Sequence, residues 1–232
     1  MSKLRKILLS LLILFVCIGK LSAQNSYHGD DKWLHFGFSL GVNTMDFGIV
    51  PSLKEIEGKV YQADVSNLLP GFSVGIISDL MLTRHLNVRF TPTMHIGDRE
   101  LSYTNNLENP EVVVSSVLIS TPVYLKYSSE RYGNLRPYLI GGGGAYIDLG
   151  RDNNLAILLK PFDPFVEVGV GCDIYFSFFK LAPELKFALG FNNMLTPLEN
   201  RDTGSMQESQ KVYTQALSKL TSRLITLTFN FE

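Results

Sequence analysis

Residues 33–43, WLHFGFSLGVN, alternate without a break. Leu34, Phe36, Phe38, Leu40 and Val42 fall on one face, and His35, Gly37, Ser39, Gly41 and Asn43 on the other. A period of two marks a β-strand with one apolar and one polar side. About 9–11 such residues carry a tilted strand across a bilayer. The pattern returns seven more times, over residues 70–78, 85–97, 113–127, 136–148, 162–174, 179–190 and 222–232. Alternation alone does not separate a membrane barrel from a soluble sandwich or a lipocalin-like barrel. The connections and the charges do.

The connections alternate in length. Segments 45–69, 98–111, 149–161 and 191–221 are long, and those near residues 79–84, 128–135 and 175–178 are short. Bacterial outer-membrane barrels have an even strand count, short periplasmic turns and long outer loops. The charges follow the same logic. Over the strand cores the apolar face is uncharged, whereas the other face holds Arg89, Lys126, Arg136 and Lys186 with Asp163, Glu167, Asp173 and Glu184. A soluble barrel would put charges outside and apolar residues inside. The expected fold is therefore all-β: an eight-stranded antiparallel up-and-down transmembrane β-barrel. Its eight inward charges form a lumen ion-pair network, four against four. Eight strands leave room for side chains but for no wide channel.

Several local expectations follow. Pro92 inside the third strand predicts a bulge or an unpaired amide. Gly141–Gly144 predicts curvature and close side-chain approach across the barrel; a phosphate-cradling loop would need a helix where Ala145–Asp148 continues as strand. Val212, Tyr213, Ala216, Leu217 and Leu220 recur at helical spacing, so a short helix is expected in the last loop. Residues 1–23 read as a signal peptide, with basic Lys3, Arg5 and Lys6 before an apolar run, leaving 24–232 as the barrel domain. Removal of Cys17 with that leader leaves Cys172 alone, which excludes an intrachain disulfide. A net charge of −1 points away from nucleic acid. His35 and His95 face inward without a motif partner, and neither metal-ligand spacing nor any cofactor signature occurs.

Four stretches resemble one known family. They are Lys32–Gly37 with Asn43–Phe47, Arg136–Gly142, Leu181–Phe187, and the closing Ser222–Phe229. Together they resemble the PorT family, outer-membrane barrels associated with the type IX secretion system of the Bacteroidota. The resemblance implies a multi-pass protein of the cell outer membrane. It also implies a non-enzymatic part in exporting cargo proteins, with other outer-membrane or periplasmic secretion-system proteins as partners beside the lipid bilayer. It assigns no catalytic residue. Two other readings stay open: a passive structural barrel or small porin, and a barrel-rim hydrolase or acyltransferase, which would need a clustered His, Ser and acid.

Overall fold

The computed structural model describes residues 33–52, 55–56, 59–60, 63–65, 68–103, 111–150, 157–197 and 213–232. The whole expected signal peptide and residue 212 of the expected helix lie outside them. Eight strands run antiparallel. They are β1 (Leu34–Pro51), β2 (Pro70–Met81), β3 in two segments (Leu86–Phe90 and Thr93–Tyr103), and β4 in two segments (Glu111–Ser120 and Val123–Ser128). They continue as β5 (Leu135–Asp148), β6 (Phe162–Tyr175), β7 (Lys180–Gly190) and β8 (Leu217–Phe231). Each pairs with its sequence neighbours, and β8 pairs with β1, so the sheet closes into a ring without an edge. Closure satisfies the wall's backbone groups from within, as a hydrocarbon surrounding demands. Outside the ring, Ala63–Val65 adds to the end of β3, and Glu55–Ile56 pairs with Lys59–Val60.

The wall carries an apolar belt. Phe36, Phe38, Leu40 and Val42 on β1, Val123, Leu125 and Tyr127 on β4, and Val166, Val168 and Val170 on β6 are all exposed and point outward. Beyond the belt, on the side of the long loops, the outer face turns polar. Asp46 lies opposite Arg223 across β1 and β8, while Asp98 and Glu100 flank inward-pointing Arg99 on β3. In the same zone the inner face turns apolar. Phe47, Leu101, Tyr103, Val114, Ile157, Leu159, Met194, Leu195, Tyr213, Ala216, Leu217 and Leu220 form a buried cluster inside the long-loop mouth. The alternation therefore continues past the membrane with its sense reversed, because the outside there is water.

This reversal corrects three expected boundaries. β1 extends to Pro51 and β3 to Tyr103, where loops were expected from Met45 and Asp98. β8 begins at Leu217 instead of Ser222, so Leu217 and Leu220 belong to a strand. Helical geometry is confined, among the described residues, to 213–215. Tyr213 packs edge-on against Tyr103 at 5.0 Å, and the Tyr103 hydroxyl donates to its carbonyl.

Pro92 has a counterpart. Thr91-Pro92 on β3 lies against Thr121-Pro122 on β4, and ladder pairing lapses at both. The register does not slip: Phe90 faces Val123 below the break, and Thr93 faces Ser120 above it. Of the two expected outcomes the structure shows the unpaired amide. Thr91 donates its N–H to Pro122, which has none to return. The Thr91 carbonyl instead accepts the Thr93 hydroxyl at 3.0 Å.

The glycine run splits by face. A Cβ at Gly142 would lie 2.1 Å from the Val123 carbonyl oxygen and 2.9 Å from the Tyr124 ring, whereas at outward Gly141 the nearest atom is a Val168 methyl at 3.9 Å. On the neighbouring strand a Cβ at Gly171 would sit 2.3 Å from the Tyr138 ring. Gly171→Ala should therefore cost about 1–3 kcal/mol through overpacking, and Gly141→Ala close to nothing. Urea midpoints of the two variants refolded into vesicles check the contrast; equal midpoints would contradict the inward position of Gly171.

Candidate functional site

The lumen is filled in layers. Inward side chains of β2, β3 and β4 meet those of β6, β7 and β8 near the short-turn end. Arg89, 1% exposed, reaches Asp79 at 2.7 Å, Glu232 at 2.6 Å and Glu184 at 3.4 Å. Lys126 pairs with Asp173 at 2.8 Å, and Lys180 with Glu232 at 2.7 Å. Lys186 lies 3.6 Å from Glu184 and 3.8 Å from Glu167. Aromatic residues fill the spaces between the charges. The Tyr138 hydroxyl donates to Glu184 at 2.7 Å, its ring carries the Lys126 ammonium at 4.0 Å, and the Tyr124 hydroxyl donates to Glu167. Charges this deep are tolerable only when each is paired and hydrogen-bonded.

Six of the eight residues singled out by sequence thus sit among these ion pairs: Arg89, Lys126, Glu167, Asp173, Glu184 and Lys186. Two do not. Arg136 points inward only at the rim, where its guanidinium donates to the backbone carbonyls of Ser129 and Arg84. Asp163 is buried towards the long-loop end, with its carboxylate accepting the Asn192 N–H at 3.3 Å. Three participants were missed, Asp79, Lys180 and Glu232. Each continues the inward phase of its strand (Ser73 and Gly75 lead to Asp79, Glu184 back to Lys180, Asn230 on to Glu232). They sit at or just beyond the ends of the expected strands.

Above the ion pairs lies a hydroxyl-rich layer. Asn43 donates its side-chain N–H to Ser73 Oγ at 2.7 Å, and Ser73 Oγ lies 2.8 Å from His95 Nδ1. His95 Nε2 lies 3.0 Å from Ser120 Oγ, which donates to the Thr93 carbonyl at 3.2 Å. Because Ser120 directs its own proton to the Thr93 carbonyl, its oxygen accepts from His95 Nε2–H, and the neutral ring's Nδ1 accepts the Ser73 proton. All these side chains are buried in the wall-to-wall packing of the lumen.

Next come Met45, Leu118, Tyr146, Phe165, Ala188 and Leu224, with Tyr146 stacked on Phe165 at 3.9 Å. Arg99 spans from this layer to the apolar mouth cluster. Its guanidinium lies over the Phe47 ring at 4.6 Å and touches Met45 Sδ at 3.9 Å. From the short turns upward, then, the lumen runs from ion pairs through hydroxyls to hydrocarbon. Among the described residues no cluster of three or more His, Cys, Asp or Glu is placed to hold a metal ion.

Several solved structures are similar to this chain at low identity. Neisserial surface protein A is 10% identical over 86% of this chain and 98% of its own, with a TM-score of 0.44. OprG from Pseudomonas aeruginosa is 11% identical over 84% and 92%, with a TM-score of 0.49. The outer membrane protein AlkL is 11% identical over 87% and 92%, with a TM-score of 0.41. No curated protein matches the chain. The family model described as the outer membrane protein beta-barrel domain matches residues 22–196. An apolar-belted closed ring and that match make the chain a multi-pass protein of the outer membrane, and it belongs to the outer membrane protein beta-barrel domain family.

Proposed function

We propose that this protein is a non-enzymatic accessory of the type IX protein secretion system, acting through its loops and turns and conducting nothing through its lumen. The observation that carries the mode of action is the filled interior. Ion pairs close the short-turn side and a buried hydrocarbon cluster closes the other. Such an interior favours a surface role over a small porin. The likeness to PorT in the Trp33–Phe47 region and the Pro183-Glu184-Leu185 strand supports the choice of apparatus.

The serine–histidine relay does not favour a hydrolase. Ser120 uses its proton on the Thr93 carbonyl, and His95 is enclosed on both ring nitrogens. A nucleophile needs a free approach for substrate and a base directed at its own proton. A passive structural barrel is the second reading, since a closed lumen suits it equally. Deleting the gene and restoring it separates the two. Cargo held in the periplasm and released again on complementation is the expected result; undisturbed secretion would leave the passive barrel.

A further inference from the structure

Two tall walls face each other across the long-loop mouth. One is β1 with β8, paired without a break from Phe38 with Phe231 up to Val50 with Lys219. The other is the upper β3–β4 hairpin, paired from Thr93 with Ser120 up to Ser102 with Glu111. The walls meet where the Arg99 guanidinium lies on the Phe47 ring and where Tyr103 packs on Tyr213. The second wall is cut at its base. Ile76 donates its N–H to the Pro92 carbonyl at 3.1 Å, and Thr91 donates to Pro122 at 3.4 Å, but neither proline has an N–H to return. One ladder bond is thus lost on each side of β3 at a single level. Above that level short ladders tie the hairpin sideways, from residues 93–96 to β2 and from residues 118–120 to β5. Among the described residues, 99–103 and 111–115 have no further ladder neighbour except Ala63–Val65.

We propose that the β3–β4 hairpin above Pro92 and Pro122 is a hinged flap over the lumen mouth, which swings away from the β1–β8 wall and uncovers the inner face that carries Leu101, Tyr103 and Val114. Two opposed sets of groups poise it. The apolar cluster of the mouth holds it shut. Against closure stand Arg99 Nε and Nη1 and Ser116 Oγ, which are buried on the flap's inner face without a hydrogen-bond partner. Buried donors left unpaired are costly, and a guanidinium more so than a hydroxyl. Opening gives them water. The prolines set where the movement starts, because the ladder is weakest there on both sides of β3. Local openings of this kind need less free energy than global unfolding. Arg89 on β3 and Lys126 on β4 lie on the other side of the break, so their ion pairs stay in place. The open form is therefore a cup and not a channel.

Thiol labelling tests the hinge. The chain's two cysteines, Cys17 and Cys172, are first replaced by serine. On that background Val114→Cys puts a thiol on the inner face of the flap, and Ala182→Cys puts one in the lumen below the break; both positions are buried. Each protein is refolded into phosphatidylethanolamine–phosphatidylglycerol vesicles, with heat-modifiable migration confirming the barrel, and a small anionic methanethiosulfonate is added. The thiol at 182 reacts only through global unfolding. The thiol at 114 should react faster, by about 100-fold, through local opening. Pro92→Ala with Pro122→Ala restores both missing donors and should slow the reaction at 114 about tenfold. If that double variant yields no compact barrel, Pro92→Ala alone, at an outward position, should slow it about threefold. Equal rates at 114 and 182 would overturn the flap. A rate at 114 that the alanines leave unchanged would overturn the hinge and assign the opening to the loops.

Discussion

Arg89→Met should leave little folded barrel. Arg89 joins Asp79 on β2, Glu184 on β7 and Glu232 beyond β8. Its removal abandons carboxylates that are nearly as buried as the guanidinium itself. Breaking a buried pair by deleting one partner typically costs about 3–5 kcal/mol. Whole domains are stable by only about 5–15 kcal/mol. Lys180 would still neutralise Glu232, and Lys186 part of Glu184, but Asp79 would lose its ion pair and keep the hydrogen bond from the neutral Asn87 amide. The fraction migrating as the compact form before heating, and the urea midpoint in vesicles, report the loss. Arg89→Lys should recover only part of it, because an ammonium cannot fork between three carboxylates. A midpoint within about 0.5 kcal/mol of the parent, the scale of an ordinary surface substitution, would show that the pairs do not hold the lumen together.

A charge on the opposite side of the same wall should be costly for a different reason. Val168 lies on β6 between Gly141 of β5 and Phe187 of β7, 61% exposed and pointing outward in the middle of the belt. Val168→Arg places a guanidinium near the bilayer midplane, where the cost is about 2–4 kcal/mol. Nothing inside the barrel changes, so the effect isolates the surrounding solvent. Refolding yield and urea midpoint in vesicles should both fall. The same charge is native at Arg223, where the outer face has passed beyond the belt and meets Asp46 across the sheet. Indifference at Val168 would mean that this face does not meet lipid.

Most of the belt was readable because hydrocarbon filters one face so strictly. Val166, Val168 and Val170 can face outward only if the outside is apolar, and Glu167 between them can then only face in. Reading stopped where the solvent changed. Met45, Phe47, Leu101 and Tyr103 keep the two-residue period but exchange faces with Asp46, Asp98 and Glu100. A strand pattern with apolar residues outward breaks at that exchange, which therefore resembles loop. Asp79 was hidden by a smaller disturbance, the Ile76-Ile77 doublet, in which Ile76 faces lipid and Ile77 is buried inside. Arg136 and Asp163 have the correct phase but the wrong height. Phase follows from sequence, whereas the level at which two strands bring residues together depends on strand stagger around a closed ring.

The reversal of faces also divides the molecule by what drives it together. Within the belt, lipid tails are as apolar as the side chains they touch, so association there draws on packing and internal polar bonds. The cluster of Phe47, Leu101, Tyr103, Val114, Met194 and Leu220 stands in water and is assembled by the hydrophobic effect. That force has a large heat-capacity signature and weakens in the cold. The two ends of one continuous sheet thus answer differently to temperature: chilling loosens the outer cap while leaving the electrostatic half beneath it intact.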